Sequence, residues 1–135
     1  MSYVRTGAER LAADTSLVAG SRIGLITNPT GVLPDLTPTA DALLAAGVPL
    51  TALFGPEHGI RGTAQAGGGE ADAVDPRTGL PVHDTHQRSG EALDEIVERS
   101  GVDTLVFDIA DVGTRFYTYV WTMYDLLASA ARLGL

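Results

Sequence analysis

Residues 55–59 read Gly55-Pro56-Glu57-His58-Gly59, a carboxylate beside an imidazole, bounded by residues that shape backbone. Proline fixes φ and removes a donor, whereas glycine permits close approach and left-handed dihedrals. The stretch follows Leu50-Thr51-Ala52-Leu53-Phe54, an apolar run that reads as a buried strand. A chain that leaves a strand, turns sharply and presents Glu57 next to His58 is suited to proton transfer. The same residues also make an ordinary polar turn capped by glycines, and the rest of the chain decides between these readings.

Two other polar clusters follow apolar runs. Asn28-Pro29-Thr30-Gly31 ends the run Arg22 to Thr27. Asp108-Ile109-Ala110-Asp111-Val112-Gly113-Thr114-Arg115-Phe116-Tyr117-Thr118-Tyr119 follows the apolar stretch that begins at Thr104. As structure, Asp111 is a helix cap, Arg115 its ion-pair partner, and the tyrosines packing. As function, Asp108, Asp111, Arg115, Tyr117 and Tyr119 form a hydrogen-bonding wall for a polyhydroxylated or carboxylated ligand, with Arg115 the natural partner of a carboxylate.

The elements that must position these clusters alternate. A short helix is expected over Ala8–Asp14, then a strand over Arg22–Thr27. A second helix opens with Thr37 as N-cap, Pro38 in its first position and Asp41 in its first turn, and closes before Gly47. Ala40, Leu43 and Leu44 give it an apolar face. The second strand is Leu50–Phe54. Ala73-Val74 and Leu80-Pro81-Val82 flank turn residues and read as a hairpin-like excursion, too polar for the core, that rims the Glu57 turn. A helix follows from Ser89, with Leu93, Ile96 and Val97 on one face and Gly101 at its end. Thr104–Ile109 reads as a third strand covered on both sides. A last helix runs from Tyr119 to Leu133, with Val120, Met123, Tyr124, Leu127 and Ala131 as its apolar face and Trp121 and Met123 in the core.

Alternating strands and helices predict an α/β fold, a Rossmann-like parallel sheet with flanking helices in one domain over 1–135. Ligands of such sheets bind beyond the carboxyl ends of the strands. That rule brings Asn28 and Thr30, Glu57 and His58, and Asp108, Asp111 and Arg115 to one edge, although they lie far apart in sequence.

Bulk properties exclude some functions. The 135 residues suffice for one domain, with 44% hydrophobic and 19% charged residues. A formal charge of −8 without a Lys/Arg run argues against nucleic acid as a partner. The absence of cysteine removes thiolate chemistry and disulfides. No apolar run is long enough to span a bilayer. The first residues carry no apolar signal segment, so the chain as given reads as cytoplasmic. Gly-x-Gly-x-x-Gly, Walker-type and Gly-x-Ser-x-Gly motifs are missing, which disfavours nucleotide binding and α/β-hydrolase chemistry. His58, Glu57, Asp108 and Asp111 could ligate a metal, but no His-x-x-x-His spacing supports that, and no metal is assigned.

The stretches Gly24–Gly31, Leu53–Gly62 and Phe107–Tyr119, with Thr78-Gly79-Leu80-Pro81-Val82 between them, resemble the exo-β-N-acetylmuramidase family (NamZ, also called YbbC-like). The resemblance runs in order along nearly the whole chain. It implies a cofactor-free glycoside hydrolase of peptidoglycan recycling that releases N-acetylmuramic acid from the non-reducing end of muramyl saccharides. It also implies a Rossmann-like catalytic part whose cleft is completed by a further C-terminal domain, which leads to the expectation that these residues form an incomplete sheet of a larger protein. Family members are often exported.

By the same resemblance the catalytic glutamate is Glu57, with His58, Asn28, Asp108, Asp111, Arg115 and Tyr117 along the cleft. Two positions depart from the family pattern: Pro29 stands where a histidine is frequent, and Ala110 where a glutamine is common. Glycoside hydrolysis needs an acid for the leaving oxygen and usually a second group. Glu57 is the expected acid or acid/base, tuned by His58 or a nearby aspartate. Asp108 or Asp111 is the second carboxylate, unless the substrate's own 2-acetamido group takes that part. Arg115 would hold the lactyl carboxylate. The alternatives are a truncated, non-catalytic sugar-binding fragment and a metal-dependent hydrolase.

Overall fold

A computed structural model describes residues 3–135. Five strands form one sheet in the order β3-β4-β2-β1-β5, where β1 is Ile23–Thr27, β2 Leu50–Gly55, β3 Ala73–Val74, β4 Pro81–Asp84 and β5 Thr104–Asp108. The β1, β2, β4 and β5 strands are mutually parallel, and only β3 runs against its neighbour. The α/β class expected from the alternation is the one observed.

Register places the strand ends side by side. Ile26 lies opposite both Phe54 and Phe107, Thr27 opposite Asp108, and Gly55 opposite Asp84. The loops that leave β1, β2, β4 and β5 therefore start from one edge.

The two faces of the sheet carry separate cores, because alternate strand residues point to opposite sides. Ile23, Leu25 and Leu53 pack with Leu11 of α1 (Gly7–Ala13) and with Ala40 and Leu43 of α2 (Thr39–Ala45). Ile26, Ala52 and Phe54 pack with Leu93, Ile96 and Val97 of α3 (Gly90–Ser100) and Leu126 of α4 (Tyr119–Leu133). Gly24 is required on that second face. A Cβ there would lie 2.4 Å from the Phe54 ring, which covers the strand.

Helix boundaries follow local chemistry. Thr6 and Glu9 form a reciprocal capping box at α1, a device the sequence reading had not identified. A 3₁₀ turn over Thr15–Val18 was likewise not anticipated. The second helix starts later than expected: Pro38 is its N-cap and Thr39 its first residue. Thr37 instead donates its backbone N–H to the Asp35 carboxylate at 3.0 Å. Gly101 ends α3 in a left-handed conformation with φ of 72°.

Three expectations need correction. The excursion is a hairpin, but it joins the main sheet, because β4 pairs in parallel with β2 and Val82 is buried in the core. The polar residues that suggested exclusion lie in the turn between β3 and β4, where Asp75 is buried and bonded to Arg61. The third expected strand, β5, is only partly buried along its whole length, since it forms a sheet edge with β1 on one side alone.

The last correction concerns α4. Val120, Met123, Tyr124, Leu127 and Trp121 are all exposed, so neither Trp121 nor Met123 is core. The helix buries the opposite side, through Leu126 and Ser129. Asp94 of α3 sets this orientation: it accepts 2.6 Å from Ser129 Oγ and 2.7 Å from Arg132 Nε. Both donors lie on the face that meets α3, so a specific polar anchor fixes the rotation that hydrophobic content alone would have reversed.

Candidate active site

The Glu57 turn is tight and closed by Gly59 N–H donating to Pro56 C=O at 2.8 Å. His58 is its third residue and adopts φ of 71°, a left-handed conformation that a side chain with a Cβ resists. Such an outlier persists only where its surroundings over-determine it. Here His58 N–H donates to Gly68 C=O at 3.0 Å, and His58 C=O accepts from Ala64 N–H at 3.1 Å. The ring is held as well, with Nδ1 3.2 Å from the Ala64 carbonyl. A carbonyl can only accept, so Nδ1 carries a proton in this contact. Gly59 is equally constrained, because a Cβ on it would lie 2.5 Å from Glu70 Oε2.

Glu57 is half-buried, with both carboxylate oxygens engaged. Oε2 accepts 2.8 Å from Thr118 Oγ1, and Oε1 accepts 2.8 Å from Gly67 N–H. These bonds, the Thr118 hydroxyl foremost, pull the Glu57 carboxyl below its ordinary range, and the charges of nearby His86 and His58 act in the same direction. Glu57 therefore rests ionised at neutral pH. Its carboxylate opens into a cavity of about 360 Å³ whose lining includes His86, Thr118, Trp121, Thr122 and Asp125. That volume lies at the small end of the ~300–1,000 Å³ range of ligand pockets.

The other expected residues reach the same sheet edge but serve neighbouring spaces. Asn28 is buried, and its Oδ1 accepts from Thr30 N–H at 2.9 Å and Thr30 Oγ1 at 2.6 Å. Thr30 Oγ1 in turn accepts from Ala110 N–H at 2.9 Å, tying the end of β1 to the loop after β5. Asn28 lines a second cavity of about 290 Å³ with Arg61 and Arg77. Arg61 there bonds Asp75 at 3.0 and 2.7 Å and Asp41 at 2.9 Å.

Asp108 lines a third cavity, about 330 Å³, with Leu11 and Thr39, and its buried Oδ2 has no hydrogen-bond partner among the described residues. Asp111 bonds Gly113 N–H at 3.0 Å within its own exposed loop. Arg115 is exposed on that loop, and the half-buried Tyr117 and Tyr119 rings meet edge-on with centroids 5.4 Å apart.

The fold thus brings the three clusters to one edge and divides their side chains among three spaces. Sequence reasoning missed Thr118, His86 and Asp125 as neighbours of Glu57, and it sent Trp121 to the core. One signal was available: Thr118, Trp121, Thr122 and Asp125 recur at i, i+3, i+4 and i+7, a single helical stripe. Among the described residues no group of three or more His, Cys, Asp or Glu side chains is placed to hold a metal ion.

With this geometry in view, similar proteins are informative. The chain is 45% identical over 134 residues to the peptidoglycan β-N-acetylmuramidase NamZ of Bacillus subtilis (strain 168), an alignment that covers 98% of this chain and 32% of that protein. Crystal structures of two DUF1343 family proteins from Bacteroides fragilis NCTC 9343 superpose with TM-scores of 0.77 and 0.70 at 41% and 32% identity. They match 94% and 95% of this chain and 31% of each larger chain. The chain therefore spans about a third of the length of the relatives it matches. The sequence model for the N-terminal part of exo-beta-N-acetylmuramidase NamZ matches residues 23–135, and the chain belongs to this family.

Proposed function

We propose that the chain carries the Glu57-bearing part of a glycosidase that releases N-acetylmuramic acid from the non-reducing end of peptidoglycan fragments. The observation that carries this reading is the Glu57 carboxylate, held at a strand-end cavity by Thr118 and Gly67. An ionised carboxylate so held can stabilise positive charge growing at an anomeric carbon, or take a proton from water. To protonate a leaving oxygen, Glu57 must first gain a proton. A sugar that displaces water from the cavity favours that change, because desolvation penalises the charged form.

His58 tunes Glu57 through its charge. Asp108 opens on a different cavity, so serving as second carboxylate would require it to turn across the sheet edge. The substrate's 2-acetamido group needs no such movement and is the participant we favour. We assign Asp111, Arg115 and Tyr117 on the loop after β5, and Tyr119 at the start of α4, to the rim of the cleft. Asn28 and Thr30 hold the base of that loop through Ala110. Arg115 is the proposed partner of the lactyl carboxylate.

The relatives are about three times as long, and we assign completion of the cleft to the region they have beyond this match. The coverage also favours a second reading, in which these 135 residues alone bind sugar without turning it over. Glu57→Gln should abolish release from a chromogenic muramide while circular dichroism and Tm stay unchanged. Wild-type turnover by that variant would sink the assignment. Comparing the 135-residue chain with a full-length relative separates the catalytic from the binding-only reading. Chelator-insensitive activity would dispose of a metal-dependent mechanism.

A further inference from the structure

Trp121 is the chain's single tryptophan and is 63% exposed, although it sits in the first turn of a helix that packs on the core. An exposed aromatic on such a helix invites a ligand when it borders a cavity with polar walls. Trp121 does so: with Thr118, Thr122 and Asp125 it forms the α4 side of the space into which Glu57 opens. His86 and Gly67 close the opposite side, and His86 Nε2 is fixed 3.2 Å from the Gly67 carbonyl. Tyr124 meets the indole edge-on with centroids 6.3 Å apart.

We infer that this stripe of α4 is a subsite for a neutral N-acetylhexosamine ring, an assignment that rests on the glycosidase reading of Glu57. A pyranose presents C–H bonds on one face and hydroxyls around its rim. The indole face, with its negative quadrupole, suits the former. Thr122 and the Asp125 carboxylate suit the latter, since a carboxylate accepts strongly from hydroxyl donors.

Charge selects which ring enters. Glu57 and Asp125 place two carboxylates in one cavity of about 360 Å³. An anionic lactyl group is repelled there, so the muramic acid residue lies toward Arg115 and the neutral leaving-side sugar lies against Trp121.

The test uses Trp121 as its own reporter, because no other tryptophan contributes to the emission of the 135-residue chain. Titration with methyl N-acetyl-β-glucosaminide should change that emission saturably, and at lower concentration than N-acetylmuramic acid does. Binding is then compared by saturation-transfer NMR in variants. Trp121→Ala should weaken it roughly three- to tenfold, the range of one aromatic contact. Trp121→Phe should restore most of that loss. Asp125→Asn should weaken the neutral sugar and narrow its advantage over the acidic one. No saturable binding of the neutral sugar, or equal affinity in Trp121→Ala, overturns the subsite. Failure of the glycosidase reading shows separately, as turnover that survives Glu57→Gln, whereas the subsite stands or falls on sugar binding by Trp121→Ala and Asp125→Asn.

Discussion

Thr118 Oγ1 donates a 2.8 Å hydrogen bond to Glu57 Oε2, joining the start of α4 to the turn after β2 across 61 positions of sequence. This bond is the largest cause of the lowered Glu57 pKa. Thr118→Val removes it and keeps the shape, so the Glu57 pKa moves up. If ionised Glu57 is needed in the free enzyme, the acid limb of kcat/KM against pH shifts to higher pH. Thr118→Ser should restore the wild-type profile. A Val variant whose profile superimposes on wild type would separate Thr118 from the chemistry.

His58 holds a left-handed backbone at φ of 71°. Glycine adopts that conformation freely, whereas alanine retains the steric cost and loses the ring contact to Ala64. His58→Gly should match or exceed wild type in Tm. His58→Ala should be less stable than His58→Gly by about 1 kcal/mol. Urea unfolding of the two variants measures the gap, and equal midpoints would contradict it.

The Arg61–Asp75 pair locks the hairpin side of the sheet to the Glu57 turn. Arg61, helped by Thr78, holds the buried Asp75 carboxyl down to about 2 from an ordinary 3.8. A depressed carboxyl stabilises the fold above its unfolded pKa, and that contribution is lost as pH falls through the folded value. Stability at neutral pH should therefore include a share on the order of 2 kcal/mol from this group, fading between about pH 4 and about pH 2. Asp75→Asn should flatten that part of the acid-unfolding curve, and an unaltered slope would refute the assignment.

Gly31 lies where the loops after β1 and β5 touch. A Cβ there would fall 2.8 Å from the Asp108 carbonyl oxygen, a backbone atom that cannot swing aside. Gly31→Ala should cost roughly 1–3 kcal/mol, as overpacking does, and weaken the Thr30–Ala110 bond beside it. Thermal unfolding reads the first effect, and amide exchange at Ala110 the second.

Arg115→Ala should reduce the preference for substrates that carry the lactyl group. The comparison is kcat/KM for a chromogenic muramide against the matching glucosaminide in wild type and variant. An unchanged ratio would remove Arg115 from lactyl recognition.

Much of this arrangement is legible in the chain itself. The apolar runs at Ile23–Thr27 and Leu50–Gly55 are fully or almost fully buried, and such runs in alternation with helices leave little choice but a parallel sheet. From that sheet follow the common edge and the place of Glu57 at a strand end. These are local consequences of backbone hydrogen bonding and hydrophobic periodicity, which any short stretch of sequence expresses.

Tertiary structure decided the rest, because it depends on partners distant in sequence. The rotation of α4 could not be read from its own residues: its more apolar side faces outward, and Asp94 on another helix chooses the side that packs. That choice places Thr118, Trp121 and Asp125 against Glu57. Likewise, β4 looked too polar for the sheet until Val82 found Leu53 as its neighbour. The sequence determined that a carboxylate would stand at the edge of a sheet. Packing between helices that are remote in the chain determined which side chains face it.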